Sequence, residues 1–113
     1  MINIERLALF SGSQNIYTGF MGTKHTDGCH YLIANDASWL ISDIAIICKM
    51  QKKVKQEPFV SIKTKIEDNQ CIVEYTDGNN NKLFSQKYSY TDLPNGNINF
   101  YFTDNTLMLS SEY

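Results

Sequence analysis

The side chains with the most chemistry in them lie together, in His25-Thr26-Asp27-Gly28-Cys29-His30. A carboxylate, a thiol and two imidazoles are the ingredients of an activated nucleophile or a metal site. Their spacing argues against both. His25 and His30 stand five apart across a glycine, so no helical i, i+4 pair presents two imidazoles to one ion. Asp27, Cys29 and His30 are near neighbours, and adjacent helical residues do not face one another. Solvated or capping histidines are the simpler expectation. Asp27, Asp92 and Asp104 read as turn or cap residues. Cys29, Cys48 and Cys71 are odd in number, far apart and free of any C-x-x-C pair, which excludes a zinc knuckle and a thioredoxin-type motif. They read as small buried hydrophobes. No cofactor, no metal and no enzymatic activity are expected. A small hydrolase built on His25, His30 and Asp27 is the residual catalytic reading.

The second feature is basic. Lys49, Lys52, Lys53 and Lys55 follow an apolar run, and Lys63 and Lys65 alternate with apolar residues just beyond. A solvated helix end is the bland reading. A patch joining all six would suit RNA phosphates or an acidic protein surface. Tyr88, Tyr90 and Tyr101 are candidates for base stacking on a sheet's outer face, although no RNP-type aromatic motif is present. Net charge is −2, so no global basic field drives non-specific nucleic-acid binding. Residues 1–56 carry +2 and residues 57–113 carry −4, so any such binding must be local. Tyr17 and Phe20 sit in a stretch from Gln14 to Lys24 that has glycines at 19 and 22 and no clear period. Such a loop either folds over the core or meets a partner, and packing is the simpler reading.

These residues must be positioned by a chain of 113 residues, a length that suits a single domain over 1–113 with one core. Asn3 can cap a short helix over Ile4 to Phe10. Thr26, Asp27 and Gly28 lead into a second helix, Cys29 to Ala34, and Asn35-Asp36 breaks it. A long helix follows over about 36–55. Leu40, Ile44, Ile47 and Cys48 recur at helical spacing, flanked by Trp39, Ile41 and Ala45. Pro58 stops it. The period then changes to 2: Val60, Ile62, Thr64 and Ile66 alternate with Ser61, Lys63 and Lys65. Glu67-Asp68-Asn69, Thr76 to Asn81, Leu93 to Asn97 and Asp104-Asn105 are turn signals. The pattern predicts an α+β fold, with N-terminal helices packed on one face of a C-terminal antiparallel meander of about five strands. There is no βαβ pattern, hence no Rossmann or P-loop site. No apolar run reaches the roughly 18 residues that span a bilayer, and no signal-peptide order opens the chain. A cytoplasmic protein, in a bacterial host cytosol, is the expectation.

Several segments taken together carry a resemblance. They are Leu7, Phe10, Ser11, Gly12 and Ser13; Thr26-Asp27-Gly28 with Tyr31-Leu32; Trp39-Leu40 with Asp43-Ile44-Ala45; Tyr90-Thr91-Asp92-Leu93-Pro94; and Leu109-Ser110-Ser111-Glu112-Tyr113. In this order they resemble a small bacterial and phage-associated family known only as a domain of unknown function. His25, Leu93 and Ser110 depart from its usual Tyr, Phe and Pro. The loop around Ile16-Tyr17-Thr18 lacks the basic and histidine residues associated with it there. The resemblance implies a setting of phages, plasmids and similar mobile elements, and no reaction.

The reading is then a non-enzymatic binding protein from a mobile element, acting by protein–protein contact on a host protein or ribonucleoprotein. Its sharpest form is an inhibitor of a defence nuclease, like an anti-CRISPR protein. The candidate binding residues are Tyr17, Phe20, Lys49, Lys52, Lys53, Lys55, Lys63 and Lys65. RNA binding through the lysine patch is the alternative.

Overall fold

The computed structural model describes residues 2–12 and 15–113. Ser13, one of the family-like residues, and Gln14 lie outside the described residues.

Asn3 caps a 3-10 helix over Ile4–Leu9, its side chain accepting from the Glu5 N–H at 3.0 Å. Two three-residue strands follow, β1 (Ile16–Thr18) and β2 (Lys24–Thr26). Three helices come next: α1 (Asp27–Leu32), α2 (Ser38–Met50) and α3 (Lys52–Lys55). The strands β3 (Phe59–Glu67), β4 (Gln70–Thr76), β5 (Lys82–Tyr88), β6 (Gly96–Thr103) and β7 (Thr106–Leu109) complete the sheet. A 3-10 turn, Ser110–Glu112, ends the chain.

The single helix expected over 36–55 is in fact two helices. Asp36 lies in the left-handed region at φ 72°, at the end of a widened turn, Ile33–Ala37, so it sits before α2 rather than inside it. Asn and Asp enter that region at lower cost than other non-glycine residues. The Asn35 side chain also donates to the Tyr31 carbonyl at 2.8 Å. The second break is at Gln51, which is extended at φ −74° and ψ 118°. Its physical sense lies in Val54. Six residues past Cys48, Val54 would point away from the core on a straight helix of period 3.6. Re-starting the helix after Gln51 turns Val54 into the core at 1% exposure, while Lys52, Lys53 and Lys55 stay exposed.

By length and composition, Asp27–Met50 (24 residues) is apolar enough to cross a bilayer. In the fold it is kinked at Asn35-Asp36, and Leu32, Leu40, Ile41, Ile44 and Cys48 are buried in the core that the helices share with the sheet.

The described residues form a seven-stranded sheet in the order β1-β2-β7-β6-β3-β4-β5, two strands more than expected. The extra pair comes from the glycine-containing stretch. Strands of three residues, with β1 exposed at both ends, are too short to print a period of 2 on the sequence. β2 runs parallel to β7, through Lys24↔Thr106 and His25↔Leu107, and all the other pairs are antiparallel. β6 does not continue the meander beside β5; it crosses back to the free side of β3. The β3–β4 and β6–β7 turns place Asp68-Asn69 and Asp104-Asn105 at positive φ, the hairpin geometry those dipeptides favour.

Alternation gives the sheet two different faces. Val60, Ile62, Cys71, Val73, Tyr75, Ile98, Phe100 and Leu107 are buried on the helix side. Phe59, Lys63, Lys65, Ile72, Glu74, Asn97, Asn99 and Tyr101 alternate with them onto the other face, away from the core that α1, α2 and α3 cover; the 3-10 residues Ile4, Leu7, Ala8, Ser110 and Ser111 border it beside Asn97 and Asn99.

Candidate functional site

The residues at the β2–α1 junction are held by the end of the chain. Glu112 is 7% exposed. Its Oε1 accepts from the Thr26 hydroxyl at 2.6 Å and from the Leu109 N–H at 3.0 Å, and its Oε2 accepts from the Gly28 N–H at 3.0 Å. Gly28 is buried beneath this carboxylate. A Cβ there would collide with the Glu112 carboxylate and with Leu109 Cδ1. Thr26-Asp27-Gly28 and Ser111-Glu112-Tyr113 are therefore two halves of one clasp. Sequence reasoning placed both among the family-like motifs and gave Glu112 no role, because the pair is 84 residues apart.

Beside the clasp the two histidines meet. His25 Nε2 and His30 Nδ1 are 3.3 Å apart, with the rings within 7° of parallel. Tyr17 stacks on His30 at 3.9 Å, and its hydroxyl donates to Asp27 Oδ1 at 3.1 Å. Gly19 leaves no room for a side chain, since a Cβ there would lie 2.6 Å from His25 Nδ1. His25 is buried at 5% exposure, contrary to the expectation of a solvated or capping role; the parallel pairing of β2 with β7 draws it inward. Burial lowers its pKa, and the neighbouring His30 adds to the effect. The hydrogen bond to Asp27 is the main cause of a raised Tyr17 pKa. In this arrangement one ring N–H can donate to the facing ring nitrogen, the tautomers deciding which. Among the described residues no group of three His, Cys, Asp or Glu side chains is placed to hold a metal ion.

All three cysteines are buried free thiols, as their apolar neighbours implied. Burial pushes the Cys71 thiol up to about 11 and Cys48 to about 12, and it raises Cys29 further. A thiol so disfavoured as thiolate is a poor nucleophile.

The lysines do not form one patch. Lys49 Nζ donates to Asn105 Oδ1 at 3.0 Å, tying α2 to the β6–β7 turn. Lys52, Lys53 and Lys55 are exposed on α3, on the helix side. Lys63 and Lys65 project from the opposite side of the sheet, where Lys65 lies 3.5 Å from Glu67 and Lys63 stands in register with Glu74. Tyr17 belongs to the histidine stack, and Phe20 is partly buried against the core. Tyr88 is not on the outer face. Its hydroxyl donates to Asp43 Oδ2 at 2.7 Å and its ring meets Trp39 edge-on at 5.0 Å.

The uncovered face is a surface feature that the sequence left unassembled. Phe59, Tyr101 and Tyr113 form an aromatic trio with ring centroids 5.0, 5.2 and 5.6 Å apart. Next to it is a hollow of about 530 Å³, lined by Lys63, Lys65, Ile72, Glu74, Asn97 and Asn99. Strand residues on this face include Lys24, Lys63, Lys65, Lys82 and Lys87 against Glu67 and Glu74. A chain of net charge −2 thus turns a basic face outward. Alternation in the sequence marked Lys63 and Lys65 as wet; which strands flank them is a matter of register.

No curated protein and no solved structure matches the chain. One family model does, over residues 2–113, so the chain belongs to the family described as "Family of unknown function (DUF6876)".

Proposed function

We propose that the chain is a non-enzymatic binding protein of a phage or similar mobile element. It acts by protein–protein contact on a host factor in the host cytosol, and its sharpest form is inhibition of a defence nuclease such as a CRISPR effector. The observation that carries this reading is the uncovered sheet face, where an aromatic trio borders a basic hollow. A sheet needs an apolar covering on one side only, and the helices supply it. Aromatic side chains left on the other side are the residue type that anchors protein interfaces. The mobile-element setting rests on the family resemblance.

The test is a pull-down from bacterial lysate with the tagged protein beside Tyr101→Ala. The expected result is a stoichiometric host protein retained by the first and depleted with the second. Recovery of no stoichiometric partner sinks the proposal. Placement of Lys63, Lys65 and Tyr101 on one face favours RNA as the second reading. RNA binding that fails to weaken between low and moderate salt rules that reading out.

A further inference from the structure

The rows of the uncovered face are fixed by strand register. Asn97, Lys65, Ile72 and Lys87 stand side by side across β6, β3, β4 and β5. The next row is Asn99, Lys63, Glu74 and Ser85. Lys63 and Lys65 are two residues apart on one strand, so their stems rise about 7 Å apart on the same side. An extended peptide has the same period and presents residues i and i+2 at that spacing.

We infer that this face takes an extended acidic protein segment. Two carboxylates at i and i+2 lie on Lys65 and Lys63, and an apolar side chain covers Ile72. The inference rests on the protein-contact reading above and names its partner chemistry. Charge complementarity is the first argument: the two rows hold Lys63, Lys65 and Lys87 against Glu74, and Glu74 is also paired with Lys82 at 3.8 Å. The second is the mixed lining of the hollow. Ile72 is 40% exposed in it, and Glu74 stands beside Lys63. A peptide meets such a surface with an apolar group and an amide N–H. A phosphate backbone carries a charge at every step and gains nothing from either residue. The trio's rings also turn edges and tilts towards each other, which leaves less open ring for stacked bases.

The experiment selects a random peptide display library on the immobilised protein. It then measures the enriched peptides on the wild type and on a Lys63→Glu/Lys65→Glu double variant. The Lys65 side chain is 66% exposed, and Lys63 is an exposed strand residue of the same face, so an unchanged far-ultraviolet spectrum should confirm an intact fold, with a lower thermal midpoint because the new carboxylates stand beside Glu74 and Glu67. The expected outcome is enrichment of Asp or Glu two residues apart beside an apolar residue. The double variant should bind such peptides about tenfold more weakly or worse. Amide shifts on peptide addition should centre on Lys63, Lys65 and Ile72. Selection of no binder overturns the inference, as does selection of peptides without an acidic pair, or of peptides that bind both proteins equally. Oligouridylate that binds the wild type and not the variant, while peptides fail, shows a face that reads phosphates and also overturns it. A host protein captured equally by both proteins removes this surface while leaving the protein-contact function standing. Peptide selection that succeeds where no host protein is captured does the reverse.

Discussion

Gly28→Ala should destabilise the fold, against the usual sign for glycine in a helix. Alanine normally gains about 1 kcal/mol there. At Gly28 the new methyl collides with the Glu112 carboxylate and Leu109 Cδ1, both buried. Both must give way, which puts the cost in the upper part of the usual range of roughly 1–3 kcal/mol for overpacking, about 2–3 kcal/mol, and the net loss after the helical gain at about 1–2 kcal/mol. Glu112→Ala acts on the same clasp from the other side. It strips acceptors from the Thr26 hydroxyl and the Gly28 and Leu109 N–H groups. Each buried donor left unsatisfied costs about 1–3 kcal/mol. Thr26 can turn to the Leu107 carbonyl, already 3.5 Å away, so the total should fall near 3 kcal/mol rather than the sum of maxima. The decisive measurement is the pair together. With the carboxylate gone, the alanine methyl has one obstacle fewer, so the double variant should be more stable than additivity predicts, by about 1 kcal/mol. Urea unfolding of the four proteins at constant m-value reads these differences. A neutral or stabilising Gly28→Ala, or strict additivity, would refute the clasp.

Three other outcomes follow from single features. Tyr88→Phe removes the hydroxyl that donates to Asp43 at 2.7 Å and should cost about 1–2 kcal/mol in urea unfolding, since a charged acceptor is left partly buried. Asp36→Gly relieves a non-glycine residue held at φ 72° and should be neutral or stabilising by up to about 1 kcal/mol, whereas Asp36→Val should destabilise. His25 has its folded-state pKa lowered by burial and by His30. The fold therefore binds fewer protons there than the unfolded chain does. This contribution is fully present above the ordinary histidine value of 6.5 and is lost as pH falls below it through the lowered folded value. The thermal midpoint should drop over that range, and His25→Gln should flatten the slope; an unchanged slope would contradict the buried pair.

Much of the fold was legible because it depends on local periodicity. The change from period 3.6 to period 2 at Pro58 divided helices from strands, and Asp68-Asn69 and Asp104-Asn105 announced their turns through their tolerance of positive φ. β1 and β2 were not legible. Each has three residues, and what makes them strands is pairing with each other and with β7, more than 80 positions away. The break at Gln51 was hidden for a related reason: nothing local forbids a straight helix, and only the need to bury Val54 against the sheet requires the turn.

The candidate site divides in the same way. Sequence alone determined that the cysteines are buried and that Lys63 and Lys65 share a wet face, because apolar neighbours and alternation are written in the chain. Tertiary structure decided everything that depends on which face or which strand lies next door. It put Lys49, Lys52, Lys53 and Lys55 on the helix side and Lys63 and Lys65 on the other, turned Tyr88 inward, brought His25 against His30, and closed Glu112 over Gly28. Register and layer order are long-range properties, set by the burial of one sheet face under the helices, and no local pattern encodes them.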